Sequence, residues 1–179
     1  MKTIFLIAFR GTGFRDERYK TEDALIRAGH VGFAFEGDDE FIFGFHPTAE
    51  AIQSVGSGDA AIEWLRDKNT LDGCLQQDYL VFRRADELFH VGARTQVWKL
   101  EVEVTDEEFE RIRSQALAWY NERTIFQYAF PPDEPKPDRD NCATFPRRLG
   151  LPILDPVGQI KDYVRVIEEQ GQPWVPKGS

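Results

Sequence analysis

Two runs of alternating phenylalanines on either side of a polar turn constrain the fold more than any other feature of this sequence. Residues 31–36 read VGFAFE and residues 41–45 read FIFGF, with the polar tetrapeptide GDDE at 37–40 between them. Alternation at every second position places the phenylalanines of each run on one face of a strand, and the short polar connection predicts a hairpin. A hairpin is stable only when such a face is buried, so we expect a sheet covered by other elements.

Other segments of the chain show the same kinds of periodicity. An apolar run at 3–9 and an alternating run at 96–104 predict two further strands, and another strand is predicted at 78–83. Thr105 and Glu108 have the spacing of a capping box and precede apolar residues at helical intervals. This pattern predicts a helix of about four turns.

Three shorter segments also carry helical signals. Asp59 is predicted to cap a helix at 59–66, a second short helix is predicted at 142–149, and a third at 157–169. The stretch 131–140 reads PPDEPKPDRD, which predicts a surface loop. Together these elements predict an α+β fold, a mostly antiparallel sheet packed by helices.

The composition is typical of a single folded domain spanning 1–179. The chain is 41% hydrophobic and 13% aromatic, which is sufficient for a substantial core. Its net charge of −9 has the wrong sign for binding a phosphate backbone, so nucleic acid is not an expected partner. No run approaches the roughly 18 apolar residues of a membrane span, and the apolar start is short and lacks a cleavage site. We expect synthesis in the cytoplasm without a cleaved signal peptide, and export by a signal-independent route stays open.

Few residues of the chain can carry out catalysis, and two of them lie at matching ends of the predicted hairpin. His30 precedes its first strand and His46 follows its second. With a turn centred near residue 38, antiparallel pairing places position 30 opposite position 46, so the two imidazoles are predicted to be neighbours. The alternative is that both are ordinary strand-end histidines facing water. The histidines show no metal-ligand spacing, so the sequence predicts neither a metal nor another cofactor.

Cys142 is the stronger nucleophile candidate of the two cysteines. It follows the proline-rich loop and begins the predicted helix 142–149, where free backbone N–H groups and the helix dipole would stabilise a thiolate. Cys74 lies beside Gly73 in a region without a predicted helix start. The alternative for Cys142 is a small buried hydrophobic residue, which is how most unpaired cysteines behave.

The order of these residues resembles that of a known enzyme family. The tripeptide HVG at 30–32, a hairpin ending in His46, and NCATF at 141–145 resemble the circularly permuted NlpC-type branch of papain-like cysteine hydrolases, which is related to the lecithin-retinol acyltransferase-like proteins. In this branch the histidine strand precedes the cysteine helix, as it does here. The resemblance covers about 24–46 and 97–150, and it implies a permuted papain-like fold.

The resemblance also implies roles for individual residues. Cys142 matches the nucleophile, His30 the general base, and His46 the polar residue that orients the base. Tyr128 and Asn141 match the oxyanion and substrate side of the site. The implied activity is bacterial-type hydrolysis of an amide or peptide bond through an acyl-enzyme, with peptidoglycan stem peptides as the favoured substrate class. A lipid or thioester acyl hydrolase or acyltransferase is the first alternative, and a non-catalytic binding module on the same fold is the second.

Overall fold

The structure, a computed structural model, describes residues 1–10, 29–78, 96–130, 138–151 and 160–174. Within these residues eight strands form one sheet. The strands are β1 (Lys2–Arg10), β2 (His30–Phe35), β3 (Asp38–Pro47), β4 (Leu71–Gln77), β5 (Gln96–Val104), β6 (Phe126–Tyr128), β7 (Arg139–Asp140) and β8 (Gln172–Pro173). Their order across the sheet is β7-β6-β4-β3-β2-β1-β5-β8, and every neighbouring pair is antiparallel except β6 with β7.

Four α-helices and one 3₁₀ helix accompany this sheet in the described part of the chain. They are α1 (Ala49–Ser54), α2 (Gly58–Arg66), α3 (Asp106–Asn121), a 3₁₀ helix (Phe145–Leu149) and α4 (Ile160–Gln170). The predicted α+β class with a mostly antiparallel sheet is therefore confirmed. None of these helices has both the length and the apolar character needed to cross a bilayer.

The capping box that predicted α3 is present. The Thr105 hydroxyl accepts from the Glu108 backbone N–H, and the Glu108 carboxylate accepts from the Thr105 N–H, each at 3.1 Å. The prediction for α2 was less accurate, because the helix is capped by Ser57, whose hydroxyl accepts from the Ala60 N–H at 3.1 Å. Asp59 lies inside the first turn of that helix.

Two further boundaries differ from those that the sequence predicts. The sequence did not predict β4, which ends at Gln77, and the strand predicted at 78–83 lies, except for residue 78, outside the described part of the chain. The α-helix predicted at 142–149 is a turn followed by the five-residue 3₁₀ helix, because Pro146 occupies its start and Gly150 ends it with a φ of 79°. The loop predicted at 131–140 and the helix predicted at 157–169 are described only in part, because 131–137 and 157–159 lie outside the described residues.

The hairpin of β2 and β3 turns more tightly than predicted and still has the predicted register. Phe35 pairs with Asp38 next to the turn, where Gly37 has a φ of 86° that favours glycine. An irregularity between Phe33 and Phe35 then shifts the pairing, so that Phe33 lies opposite Phe43. Continued to the end of the hairpin, this register brings positions 30 and 46 together.

The two faces of the sheet bury different sets of side chains. The larger core lies on the face covered by α3 and α4 and includes Phe33, Phe43 and Phe45. This placement confirms that the hairpin phenylalanines are core residues. The opposite face carries a smaller apolar cluster that includes Phe5, Ile7, Phe9, Ala34, Ile42 and Val97. Strand alternation places both hairpin histidines on this second face, because His30 pairs with Phe9.

Candidate active site

The two hairpin histidines are stacked on one another. Their ring centroids lie 4.6 Å apart with an interplanar angle of 23°. The prediction that the hairpin brings these imidazoles together is confirmed. His46 is buried, whereas 22% of the His30 side chain is exposed, so the pair has one face toward the interior and one toward the surface.

One carboxylate joins both rings. Asp78 directly follows β4, and its Oδ2 lies 2.6 Å from Nε2 of His30 while its Oδ1 lies 2.5 Å from Nε2 of His46. An ionised carboxylate only accepts hydrogen bonds, so each imidazole donates its Nε2–H to one oxygen. Asp78 is 4% exposed, which makes these short, charge-assisted bonds stronger than they would be in water.

Two paired glycines provide the space for this carboxylate. Gly32 of β2 lies directly opposite Gly44 of β3, on the histidine face of the sheet. A Cβ at Gly44 would overlap the Asp78 carboxylate, and a Cβ at Gly32 would lie 2.9 Å from its Oδ2. The sheet therefore accommodates Asp78 only because both positions lack a side chain.

The charges within the site are strongly coupled. Burial of the His30 ring opposes its protonation, but the negative charges of Asp78 and Cys142 outweigh burial and raise the pKa of His30 from 6.5 to about 10. Burial likewise opposes ionisation of Asp78, yet the two imidazoles hold the pKa of Asp78 well below its usual range. At neutral pH the site therefore contains an imidazolium bonded to a carboxylate.

Cys142 also interacts with His30. After Asp78, its electrostatic interaction contributes to the raised pKa of His30. Because Nε2 of His30 is bonded to Asp78, Nδ1 is the ring nitrogen that remains for the sulfur. Cys142 is 4% exposed and its other neighbours belong to the larger hydrophobic core. Asp78 thus bonds both histidines, and Cys142 interacts electrostatically with His30.

The loop that carries Cys142 is held by side-chain hydrogen bonds. The Asn141 Oδ1 accepts from the backbone N–H groups of Ala143 and Thr144 at 2.9 and 3.1 Å. Thr144 Oγ1 accepts from the Asn141 N–H and donates to Asp140, which also forms an ion pair with Arg148. The helix dipole expected to act on Cys142 is absent at this position, because Cys142 lies in the turn before a 3₁₀ helix of only five residues.

The structure also places the two residues predicted on the oxyanion side. Asn141 is buried, and its side-chain oxygen caps the cysteine loop. Tyr128 is buried in β6, where it pairs with Asp140 of β7 and contacts the Phe45 ring at 5.4 Å. Both residues therefore lie beside the loop of Cys142, and their catalytic roles stay predictions.

The second cysteine lies close to His46. Cys74 of β4 is the direct cross-strand partner of His46 and is buried. Burial raises the pKa of the Cys74 thiol, an effect that Arg123 and a hydrogen bond from Gln76 partly offset. A buried thiol with a raised pKa is a poor nucleophile, and Cys142 is the cysteine that interacts with His30.

The two histidines and Asp78 are also a set of metal-ligating residues. Their ligand atoms all lie within 4.8 Å of one another, a grouping that the sequence interpretation missed because it did not include Asp78. The rings are stacked, however, and both Nε2 atoms are directed at the oxygens of the one carboxylate. The N–O separations of 2.5 and 2.6 Å are also shorter than the about 3.3 Å between ligand atoms of a tetrahedral zinc site. This geometry suits two hydrogen bonds better than a metal ion.

Comparison with protein-family models, with curated proteins and with solved structures found no match to this chain.

Proposed function

We propose that this chain is a cysteine hydrolase that cleaves an amide or peptide bond through an acyl-enzyme on Cys142. The observation that carries the proposal is the position of the His30 imidazole, which is hydrogen-bonded to the Asp78 carboxylate and interacts electrostatically with Cys142. A nucleophile, a base and a group that orients the base are the three parts of a cysteine triad.

The raised pKa of His30 defines the charge state of the base. At neutral pH an imidazole with a pKa of about 10 is protonated, so a cation lies beside Cys142. Asp78 accepts from the Nε2–H of His30, which fixes the orientation of the ring and leaves Nδ1 as the nitrogen that can serve the sulfur. In this assignment Asp78 takes the orienting role that the resemblance gave to His46.

The reaction then follows from these positions. The Cys142 thiolate attacks the carbonyl carbon, the C–S bond forms, and the carbonyl oxygen becomes an oxyanion. The Nδ1–H of His30 protonates the leaving amine as the C–N bond breaks, which leaves an acyl-enzyme. His30 next removes a proton from water, the resulting hydroxide attacks the thioester, and the carboxylic acid leaves as the thiolate is restored.

The backbone N–H of Cys142 is the first candidate for the oxyanion donor. The N–H groups of Ala143 and Thr144 bond to Asn141 Oδ1, and that of Phe145 bonds to the Asn141 carbonyl at 3.1 Å. No acceptor for the Cys142 N–H lies among the described residues. An unshared N–H next to the nucleophile is the usual source of oxyanion stabilisation.

The substrate class comes from the resemblance to the permuted NlpC-type branch. The order of histidine hairpin and cysteine loop on an antiparallel sheet supports a permuted papain-like fold, and with it peptidoglycan stem peptides as substrates. The carboxylate between the two histidines is a departure from the histidine pair that the resemblance implies. Lipid or thioester acyl substrates are the alternative, and a binding module without activity is the outcome if Cys142 is unreactive.

The test begins with iodoacetamide labelling of the native protein near neutral pH. Peptide mapping by mass spectrometry should show Cys142 labelled at least tenfold faster than Cys74, the internal control. Equal, slow labelling of both cysteines would exclude an activated nucleophile. Stem peptides and acyl thioesters are then compared as substrates, and Cys142→Ala should abolish turnover of whichever is cleaved while the native fold persists.

A further inference from the structure

We infer that His46 is a positioning residue that holds Asp78 in line with His30, an inference that rests on the proposed cysteine hydrolase. Its Nε2–H bonds to Oδ1 of Asp78 at 2.5 Å, while Oδ2 of the same carboxylate bonds to His30. His46 therefore acts on the base through Asp78, and the site works as four linked groups.

The stacking of the two rings excludes a direct hydrogen bond between them. An imidazole donates and accepts in the plane of its ring, and the two ring planes lie nearly parallel with centroids 4.6 Å apart. His46 consequently does not orient His30 through a direct hydrogen bond between the two rings. Its Nε2 is committed to Asp78 instead.

The surroundings of Asp78 explain why the carboxylate needs a second partner. Gly32 and Gly44 present bare backbone beneath it, so no side chain at these two positions fixes the plane of the carboxylate. A single bond to His30 would leave Oδ1 free to rotate and buried without a donor, which is costly for a charged oxygen. The bond from His46 satisfies that oxygen and sets the carboxylate plane.

The first measurement detects the bond itself and needs no activity. Short N–H···O bonds to a carboxylate give far-downfield proton resonances in NMR spectra, and we expect one from each histidine in the wild-type protein. His46→Leu should remove one resonance and shift the other. If both resonances remain unchanged in this variant, His46 does not bond Asp78 and the inference is wrong.

The second measurement separates positioning from a structural role. The rate of Cys142 alkylation by iodoacetamide is followed from pH 5 to pH 9 in His46→Leu and His46→Gln, since the glutamine amide can donate from nearly the place of Nε2. At pH 6 we expect the alkylation rate to fall roughly tenfold or more in His46→Leu and to recover substantially in His46→Gln. Thr48→Val is the matched control, because Thr48 is buried just beyond β3 and caps α1 without a bond to Asp78.

Three outcomes of this second measurement overturn the inference. The first is a wild-type pH profile of Cys142 alkylation in His46→Leu. The second is an equal loss of alkylation rate in His46→Leu and His46→Gln, and the third is a loss in Thr48→Val as large as that in His46→Leu. Failure of the hydrolase proposal looks different, because slow labelling of Cys142 would then already be present in the wild-type protein. The NMR resonances would still report whether His46 holds Asp78.

Discussion

Replacing Asp78 with asparagine removes the charge that keeps His30 protonated while nearly preserving the shape of the side chain. Against the opposing effect of burial, that charge and the charge of Cys142 raise the pKa of His30 from 6.5 to about 10. At about 1.4 kcal/mol per pKa unit, a shift of this size corresponds to about 5 kcal/mol of folding stability. Most of it should disappear in Asp78→Asn.

The direction of the pH dependence follows from the sign of the shift. A histidine whose pKa is raised on folding contributes its full stability below pH 6.5 and loses it as the pH rises toward 10. Asp78, whose pKa is lowered, contributes fully above its ordinary value of 3.8. The difference in unfolding free energy between wild type and Asp78→Asn should therefore be greatest from about pH 4 to 6.5 and then narrow by about 1.4 kcal/mol per pH unit.

Urea unfolding at pH 6, 7.5 and 9 measures this difference, with a linear extrapolation at each pH. Glu110→Gln is the control, because Glu110 forms an exposed ion pair with Lys2 at 2.9 Å and its loss should cost little at every pH. A gap between wild type and Asp78→Asn that stays constant from pH 6 to pH 9 would refute the coupling of Asp78 to His30. The titratable groups described around His30 are Asp78, His46 and Cys142.

Two further predictions concern the parts of the fold that support the site. Gly44→Ala places a Cβ into the Asp78 carboxylate, so we expect the free energy of unfolding in urea to fall by about 1–3 kcal/mol and the alkylation of Cys142 at pH 6 to slow. An unchanged alkylation rate would show that Asp78 does not need this space. Thr105→Ala removes the capping box of α3 and should cost about 1 kcal/mol while leaving that alkylation rate at the wild-type value, which separates loss of stability from loss of the site.

The sequence predicted the histidine pair because its position depends on local pairing. The hairpin is encoded by alternating phenylalanines and a polar turn, and both histidines lie at its open end. The turn was placed about two residues too late, at 37–40, and the irregularity between Phe33 and Phe35 restores the register. A strongly periodic segment thus allowed a contact between residues 30 and 46 to be derived without a structure.

The sequence did not reveal Asp78 because its position depends on a strand with weak signals. The β4 sequence LDGCLQQ contains aspartate, glycine and two glutamines, and its apolar residues alternate only in part. The sequence analysis therefore did not predict β4. The unused signal was the pair of glycines at positions 32 and 44, which the hairpin register places opposite one another and which leaves a gap for a side chain from elsewhere.

The cysteine loop shows a second limit of sequence patterns. An apolar stretch after a proline-rich loop predicted an α-helix at 142–149, but Pro146 lies inside this span, where it cannot donate an α-helical hydrogen bond, and Gly150 ends the 3₁₀ helix that forms instead. The helix dipole predicted at Cys142 is therefore absent, and the residue interacts with His30 instead. Such a contact between distant segments is invisible to local periodicity.

The residues of the candidate site lower the stability of the sheet that carries them. Gly32 and Gly44 face one another in the middle strands, where each glycine costs about 0.5–1 kcal/mol relative to alanine. The carboxylate above them is buried, and a buried charge is stable only with bonded partners. A sheet selected for stability alone would carry side chains at both glycines and an apolar residue at position 78. These unfavourable choices meet at one point, where His30 and His46 are the partners of the carboxylate among the described residues, and such a concentration is what the proposed catalytic role would require.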